Sequence, residues 1–244
     1  MMKILNIIFT IFFMPVILIL SIFMGVKIVM LNMLAQLGEG MLVSAYVFFA
    51  TLIISLPLGL VVALGRMSKN VVLRTVTKVY ISIMRGTPLM LQLMVIFFAP
   101  SLIFGLNLSA SYRYIAVIIG FGINYAAYFA EIYRGGIESI AKGQYEAAKV
   151  LGFTKAQTFF KIVLPQVVKR ILPATGNEVI TLVKDTSLAR VLSCVELLKA
   201  AQDIVGLKAI IWPIFYIGAF YLLFTGVLTI LFGLIEKKLN YYKG

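Results

Sequence analysis

EAAKVLGFTKAQTFFKIVLP, residues 146–165, is a polar stretch rich in helix formers that stands between long apolar segments. Its landmarks keep a fixed spacing and are Glu146, Ala147, Ala148, Gly152, Leu164 and Pro165. We expect a short helix with Glu146 near its start, where the helix macrodipole favours anions. Gly152 then permits a left-handed turn. The chain is thus predicted to leave its apolar segments here and to form a polar protrusion.

A second short helix is predicted directly after this turn. Thr154 and Gln157 have the spacing of a capping box, in which each side chain satisfies a backbone N–H at the start of a helix. Pro165 is expected to end that helix. The stretch as a whole therefore predicts a compact helix–turn–helix.

The composition is that of a membrane protein. Hydrophobic residues make up 62% of the chain, charged residues 13%, and the mean hydropathy is +1.05. A hydrocarbon core about 30 Å thick requires roughly 20 apolar helical residues. Five or six runs reach this length, and the predicted spans are 4–26, 41–65, 79–104, 113–133, 171–193 and 211–235. No stretch shows the alternation of a barrel strand, so the predicted fold is an all-α membrane bundle.

The formal net charge of +13 is distributed unevenly. Most of the 22 lysines and arginines lie at Lys3, within 66–85, within 134–170 or at 237–243. This asymmetry is the positive-inside pattern and predicts that these segments face the cytoplasm, with both termini inside if six spans are present. Anionic lipid headgroups suffice as partners for most of these charges, and no nucleic acid is expected.

The residue inventory predicts neither a catalytic nor a metal site. The chain has no histidine and a single cysteine, Cys194, which cannot build a disulfide framework and is interpreted as core filler. It also has no G-x-x-x-x-G-K-[ST] phosphate loop. We therefore expect no cofactor and no nucleotide chemistry in this chain.

Three segments depart from the pattern of simple spans. Residues 4–26 have two interpretations, a secretory signal peptide or a retained span that is kinked or interrupted at Pro15, and the length of the apolar run favours the span. The sequence Arg-Gly-Thr-Pro at 85–88 must interrupt the third span, either as a simple kink or as a bend that shapes a path near Gln92. The apolar spacing within 195–208 predicts an amphipathic helix on the outer face.

Polar residues on two spans suggest a path through the membrane. An ionised side chain near the bilayer centre costs roughly 2.5–3.5 kcal/mol, so exposure of the charged face of span 171–193 to lipid is untenable. This face and the polar face of span 113–133 offer acceptors for an ammonium group and donors for a carboxylate. The predicted pathway residues are Gln92, Asn124, Tyr128, Glu131, Glu178, Lys184 and Asp185.

Two structural alternatives for these charges stay open. Lys184 or Arg190 could neutralise a carboxylate in a buried ion-pair network that fixes helix register. Glu131 precedes Arg134 by three residues and could simply brace the cytoplasmic end of its own helix.

The protruding stretch resembles the cytoplasmic EAA loop of ABC-importer permeases, because each landmark matches that pattern in identity and spacing. Four further segments are similar to signatures of the polar amino-acid (histidine/glutamine/arginine-type) permease family. They are RGTPLMLQL (85–93), NYAAYFAEIYRGGI (124–137), LPATGNEVITLVKDTSL (172–188) and ELLKAAQDI (196–204). The likeness covers the chain from near Leu37 to the end.

This resemblance implies a type I ABC importer transmembrane domain at 36–244, with five core helices, and an extra N-terminal transmembrane segment at 1–35. The EAA loop, at about 134–170, would contain a coupling helix that inserts into a separate ATPase subunit. The implied partners are two ATP-binding subunits, a second copy of the permease or a paralogue, an extracytoplasmic solute-binding protein docked near 195–208, and the lipid bilayer. ATP would be bound by the partner alone.

The implied function is that of the transmembrane permease of an ATP-driven importer for polar amino acids, in the cytoplasmic (inner) membrane of a prokaryote. An alternative is a stand-alone secondary transporter or channel, for which intramembrane carboxylates would suit proton coupling. No internal duplication supports it, and the EAA loop would be unexplained. A scaffold or sensor has no reason to carry polar spans.

Overall fold

The order of helices follows the predicted spans, except that the first two spans form one continuous helix. The computed structural model describes residues 2–239, and of 2–23, 25 and 26 it describes the backbone alone. Within these bounds every regular element is helical. The elements are α1 Met2–Arg66, α2 Val71–Gly86, α3 Leu89–Phe104, α4 Tyr112–Glu138, α5 Lys142–Val150, α6 Lys155–Gln157, a π-helical segment Thr158–Val163, α7 Leu164–Asp185, a 3-10 helix Thr186–Leu192, α8 Leu197–Lys208 and α9 Trp212–Leu239.

Three helices in the described part of the chain are long and apolar enough to cross a membrane: α1 from Lys27 to Arg66, α4 and α9. Helices α2 and α3 together would make a fourth span that is bent by 109°. Helix α7 is also long enough to cross a membrane, but it carries more charged residues than the other three helices do. These charges are the reason why span 171–193 stood out in the sequence. The number of six spans stays a prediction.

The difference from the predicted spans concerns α1. A break was expected between spans 4–26 and 41–65, yet the helix continues through 27–40 without one. This segment contains no proline, and its buried residues Met33 and Leu37 pack against α8. Gly40 allows the close approach, because a Cβ there would lie 3.0 Å from the Cα of Leu197. The predicted retention of 4–26 as a span falls on residues whose side chains lie outside those described.

Helix α4 is the centre of the bundle and contacts α1, α2, α3 and α7. Its fully buried side chains include Val117, Phe121 and Phe129. Small residues let the backbones approach closely, as in other membrane bundles. A Cβ at Gly59 of α1 would lie 2.9 Å from that of Phe129, and one at Gly122 would meet Ile54 at 2.9 Å. Because of this packing, α4 is a rigid support for the polar residues along its length.

The predicted interruption at 85–88 is present and is larger than a simple kink. Pro88 has no N–H to donate to the carbonyl of Met84, four residues earlier. Side chains replace this missing donor: Gln92 Nε2 lies 2.9 Å from the Met84 oxygen and Asn124 Nδ2 lies 3.0 Å from it. The polar break is therefore satisfied by protein groups inside the bundle.

The helix–turn–helix predicted within 146–165 is present at 142–157, and the hydrogen bonds of its turn are those expected. Gly152 has φ +75°, and a Schellman motif forms because its N–H donates to Lys149 and that of Phe153 donates to Ala148. Both hydrogen bonds of the capping box between Thr154 and Gln157 are made, at 2.9 and 3.2 Å. We call residues 142–157 the elbow.

Two details of the elbow prediction were wrong. Glu146 lies in the middle of α5 and not near its start, because the helix begins one turn earlier at Lys142. Pro165 does not end the second helix but stands in the first turn of α7. The helical path continues because residues Thr158–Val163 widen into a π-helix just before the proline. Such a widening is a known way to relieve a disturbed hydrogen-bond ladder.

The amphipathic helix predicted within 195–208 is α8, whose Leu197, Ala201 and Ile204 are buried against α1 and α9. Cys194 is fully buried in the main apolar cluster, as expected for core filler.

Candidate functional site: the elbow and the polar cluster of α4 and α7

The elbow exposes an apolar patch. Ala148 is buried (1% exposed), whereas Glu146 and Ala147 are exposed. Next to them Val150 is 87% exposed and Leu151 72%. Such a patch at the tip of a protrusion is typical of a protein–protein contact. The sequence motif named Ala147 and Ala148 together, but only Ala147 is available to a partner in this structure.

The base of the elbow is fixed to α7 by polar and steric contacts. Arg170 Nη1 donates to the hydroxyl of Ser139 at 2.9 Å, just after α4 ends, and also to the Ser139 carbonyl. Gln166 Nε2 lies 3.3 Å from Oε1 of Gln144 in α5. Helices α4 and α7 lie close together at Gly136, where a Cβ would lie 2.2 Å from Cγ2 of Ile171. A displacement of the elbow would therefore be transmitted to both helices.

Leu164 and Pro165, the last landmarks of the motif, lie at this base and not at the tip. They form the first turn of α7. The position of Leu164 and Pro165 explains why they follow the elbow at this distance in sequence, because the π-helical segment lies between Gln157 and Pro165.

The carboxylates of α7 face α4. Tyr125 donates its hydroxyl hydrogen to Oδ2 of Asp185 at 2.8 Å. The Tyr125 ring lies 6.1 Å from that of Tyr128, one turn on. Glu178 is half-buried on α7, two turns before Asp185. These residues form a polar cluster between the two helices, and Tyr125 was not among the predicted pathway residues.

Glu131, on the same face of α4 as Tyr128 and nearer the end of the helix, is held by two arginines. Arg134 donates to both of its carboxylate oxygens, at 3.0 and 2.7 Å, so the expected brace is made. Arg85 approaches the same carboxylate at 3.8 Å and lies 5.2 Å above the ring of Tyr128. Arg85 therefore joins the bend after α2 to the polar stripe of α4. Arg85 was not among the predicted pathway residues, although its position directly before the predicted break could have indicated this contact.

The ion-pair network proposed for Lys184 and Arg190 is wrong within the described chain. Both side chains are exposed, and neither lies within 4.0 Å of a carboxylate oxygen there. The reason is helical phase, since Lys184 is 100° around the helix from Asp185 and points away from α4. Lys184 thus lies apart from the other predicted pathway residues.

Gln92 and Asn124 are joined to each other and to the bend. Asn124 Nδ2 donates to Gln92 Oε1 at 2.9 Å, and Gln92 Nε2 also reaches the Thr87 hydroxyl at 2.8 Å. Both residues are less than a tenth exposed. Their amide groups hold the α2–α3 break in place on α4.

Comparison with known proteins agrees with this architecture. The sequence profile of a family described as "Binding-protein-dependent transport system inner membrane component" matches residues 55–241. A Rickettsia felis protein named putative glutamine transport system permease protein GlnP is 36% identical over 82% of this chain and 91% of its own. The probable amino-acid ABC transporter permease protein YckA of Bacillus subtilis is 38% identical over 84% of this chain and 88% of its own. A crystal structure of an amino acid ABC transporter with histidines matches with a TM-score of 0.78 and 32% identity, over 86% of this chain and 97% of that one.

The fold is therefore that of a type I ABC importer transmembrane domain, and the protein is a membrane-embedded transport subunit. The chain belongs to the family of binding-protein-dependent transport system inner membrane components. It is a permease subunit of the amino-acid ABC importer class, in which a separate ATPase subunit hydrolyses ATP. The predicted family, fold class and transport role are confirmed.

Proposed function

We propose that this permease imports polar amino acids and that its elbow receives the motion of the ATPase subunits. The observation that supports this most directly is the exposed apolar tip, at Ala147, Val150 and Leu151, on a protrusion whose base is bonded to α4 and α7. The partner binds ATP, closes and moves the elbow. The elbow then shifts the two helices that carry the polar cluster, and the accessible side of the pathway changes.

The proposed assembly has two permease subunits, two ATPase subunits and an extracytoplasmic solute-binding protein. The C-terminus and the elbow face the cytoplasm of a prokaryotic cell, in agreement with the positive-inside charge pattern. The N-terminus would face the same side only with six spans, which the unbroken α1 does not favour. In this arrangement α8, which follows α7 after a short 3-10 helix, lies on the outer side where a binding protein would dock. Residues 1–35 are proposed as an addition to the transporter domain at 36–244, although residue 36 lies inside α1.

The proposed substrate path runs along the α4 and α7 cluster. Glu178 and Asp185 supply acceptors for the ammonium group of an amino acid, and Arg85 is a donor suited to its carboxylate. Tyr128 and Glu131 line the same face of α4. Gln92 and Asn124 act by fixing the bend, since their amide groups are already hydrogen-bonded. Lys184 would contribute only at an interface with a second permease.

Coupling is tested by Ala147→Trp, which places a bulky ring at the exposed tip. We expect the purified variant to remain folded but to lose association with the ATPase subunit, together with ATP-dependent uptake. Ala110→Trp is the matched control, because Ala110 is equally exposed but lies in the outer turn between α3 and α4. Normal association and uptake by Ala147→Trp would overturn the coupling role of the tip.

The path is tested by Asp185→Ala and Glu131→Ala in the assembled importer. Both variants are expected to reduce uptake more than assembly, because their carboxylates face the cluster and not the elbow. Ser187→Ala, on the 3-10 helix directly after Asp185, is the control. Full uptake by both carboxylate variants would remove the pathway assignment.

A further inference from the structure

A cationic cavity lies between the end of α1, one face of α2 and the carboxylate of Glu131. Its volume is about 210 Å³, and its lining residues are Arg66, Lys78, Ile81, Ser82, Arg85 and Glu131. We call it the cationic niche. Arg66 and Lys78 take no part in the coupling or pathway roles proposed above, whereas Arg85 and Glu131 stand between the niche and the proposed substrate path.

The niche is a built feature of the fold, because tight contacts hold its walls. Gly65 brings α1 against α2, where a Cβ would lie 2.7 Å from Cγ2 of Thr77. Asn70 caps α2 by accepting from Val72 N at 2.9 Å. Tyr80 donates its hydroxyl hydrogen to the carbonyl of Ile123 and so ties α2 to α4. These contacts place Arg66 and Lys78, on successive helices, beside one cavity.

The charges of the niche are not balanced within the described chain. Glu131 and Glu138 pair with Arg134 and Arg85. No carboxylate oxygen among the described residues lies within 4.0 Å of Arg66 or Lys78. Two cations and a hydroxyl, from Ser82, thus converge on a space large enough for a small anion. Phosphate oxygens are the acceptors that such donors bind well.

The position of the niche favours a lipid as the source of that anion. Lys78 is seven residues into α2, about 10 Å from the cytoplasmic turn at 67–70 along the helix. The niche therefore lies close to the positively charged turn that is predicted to face the cytoplasm, where the headgroups of anionic lipids are available. Leu64, Val79 and Ile83 beside the niche are about half exposed and offer an apolar surface to those chains.

We propose that the cationic niche binds the phosphate of an anionic phospholipid from the cytoplasmic leaflet. The phosphate contacts Arg66, Lys78 and Ser82, and the acyl chains follow the apolar side of α1 and α2. Bound there, the lipid holds the end of α1 against the helix that leads into the bend. This gives the permease a binding site whose occupant comes from the membrane and not from the transported solutes.

The test measures lipid binding to the full-length protein in detergent by native mass spectrometry. Phosphatidylglycerol is compared with phosphatidylcholine of the same acyl chains, in the parent and in the double variant Arg66→Gln/Lys78→Gln. Each direct hydrogen bond from a basic side chain to the charged phosphate contributes about tenfold or more, so we expect phosphatidylglycerol to bind about 100-fold more weakly to the double variant. Phosphatidylcholine is expected to bind equally weakly to both.

The matched control is Lys69→Gln/Arg74→Gln, which removes the same charge from exposed positions of the same segment that do not line the niche. It should keep phosphatidylglycerol affinity within about threefold of the parent. Equal losses in both double variants would show diffuse surface attraction and overturn the proposal, as would no loss in either. The exchanged variant Arg66→Lys/Lys78→Arg keeps the charges and should retain binding.

Glycerol 3-phosphate, which has the phosphate but no acyl chains, distinguishes the two sources of this chemistry. We expect it to displace the lipid only at a far higher concentration. Displacement at equal concentration would show a site for free organic phosphate and would overturn the assignment to lipid.

Discussion

Asn124 on α4 donates a hydrogen bond to the carbonyl of Met84 on α2, at 3.0 Å, where Pro88 leaves that carbonyl without its helical partner. The pair joins the centre of the bundle to the 109° bend between α2 and α3. Gln92 Nε2 also donates to this carbonyl, so the group that loses its donor without Asn124 is the buried amide oxygen of Gln92, at a cost of about 1–3 kcal/mol. The bend therefore depends on an amide side chain that lies 40 residues away in sequence.

Asn124→Ala is accordingly expected to lower the free energy of unfolding by about 1–3 kcal/mol. The measurement is thermal unfolding of the purified protein in detergent. Asn107→Ala, at an exposed position in the outer turn, should leave the transition unchanged. If the two variants unfold alike, Asn124 does not support the bend.

Gly136 sets the distance between α4 and α7 at the base of the elbow. A methyl group there would lie 2.2 Å from the side chain of Ile171, so Gly136→Ala forces the helices apart at a cost of about 1–3 kcal/mol. The neighbouring Gly135→Ala is the control, since nothing lies within 4 Å of a Cβ at that position. The midpoint temperature of thermal unfolding and the rate of ATP-dependent uptake should both fall in Gly136→Ala. Neither should fall in Gly135→Ala.

The second-site change Ile171→Ala sharpens this prediction. Ile171→Ala removes the atoms that the new methyl group at position 136 would meet. It should therefore restore stability when combined with Gly136→Ala, although it lowers stability as a single substitution. Simple addition of the two losses would contradict the packing explanation.

Gly152 is predicted to rigidify the elbow through its left-handed conformation, φ +75°. Gly152→Ala should cost about 1–2 kcal/mol locally, because a Cβ is unfavourable in that region. Amide hydrogen exchange should then be about tenfold faster at Gly152 and Phe153, whose N–H groups close the turn. Gly143→Ala, inside α5 with open space around it, should show no acceleration.

Sequence reasoning identified the breaks and turns because their causes are local. Pro88, Gly152 and the Thr154–Gln157 pair each act within a few residues, and the structure has a break, a left-handed turn and a capping box at these positions. Sequence reasoning failed at Pro165, because the helix continues there through a π-helical segment that no pattern in the sequence predicts.

The polar cluster was predictable as two stripes but not as specific pairs. Helical phase placed Tyr128 and Glu131 on one face correctly. The partner of Asp185 is Tyr125, however, and this choice depends on how α7 is rotated against α4. Lys184 was placed with the carboxylates because it is their neighbour in sequence, yet one residue along a helix turns a side chain away by about 100°.

A pH dependence is expected from Glu196, which caps α8 outside the membrane spans. Its carboxylate accepts from Leu198 N and Lys199 N at 2.7 and 2.8 Å, but burial outweighs these bonds and raises its pKa from 4.5 to about 7. The folded state therefore binds the proton more tightly than the unfolded chain does. This contribution to stability is complete below about pH 4.5 and is lost as the pH rises through about 7.

The free energy of unfolding should accordingly decrease between these pH values, by about 1.4 kcal/mol per pH unit at most. Glu196→Gln removes the titration, so its stability should be flatter across this range. Denaturant unfolding at several pH values provides the comparison. An equal slope in the parent and the variant would exclude Glu196 as the titrating group.

The most direct test of the whole account is amino-acid uptake by proteoliposomes that contain the permease with or without its ATPase subunits. We predict that amino acids accumulate only when three components are all present. These are the ATPase subunits, ATP on the side of the membrane that the ATPase subunits face, and the solute-binding protein. Ala147→Trp should abolish that accumulation. Accumulation by the permease alone, without ATP, would contradict the claim that the elbow brings in the energy for transport.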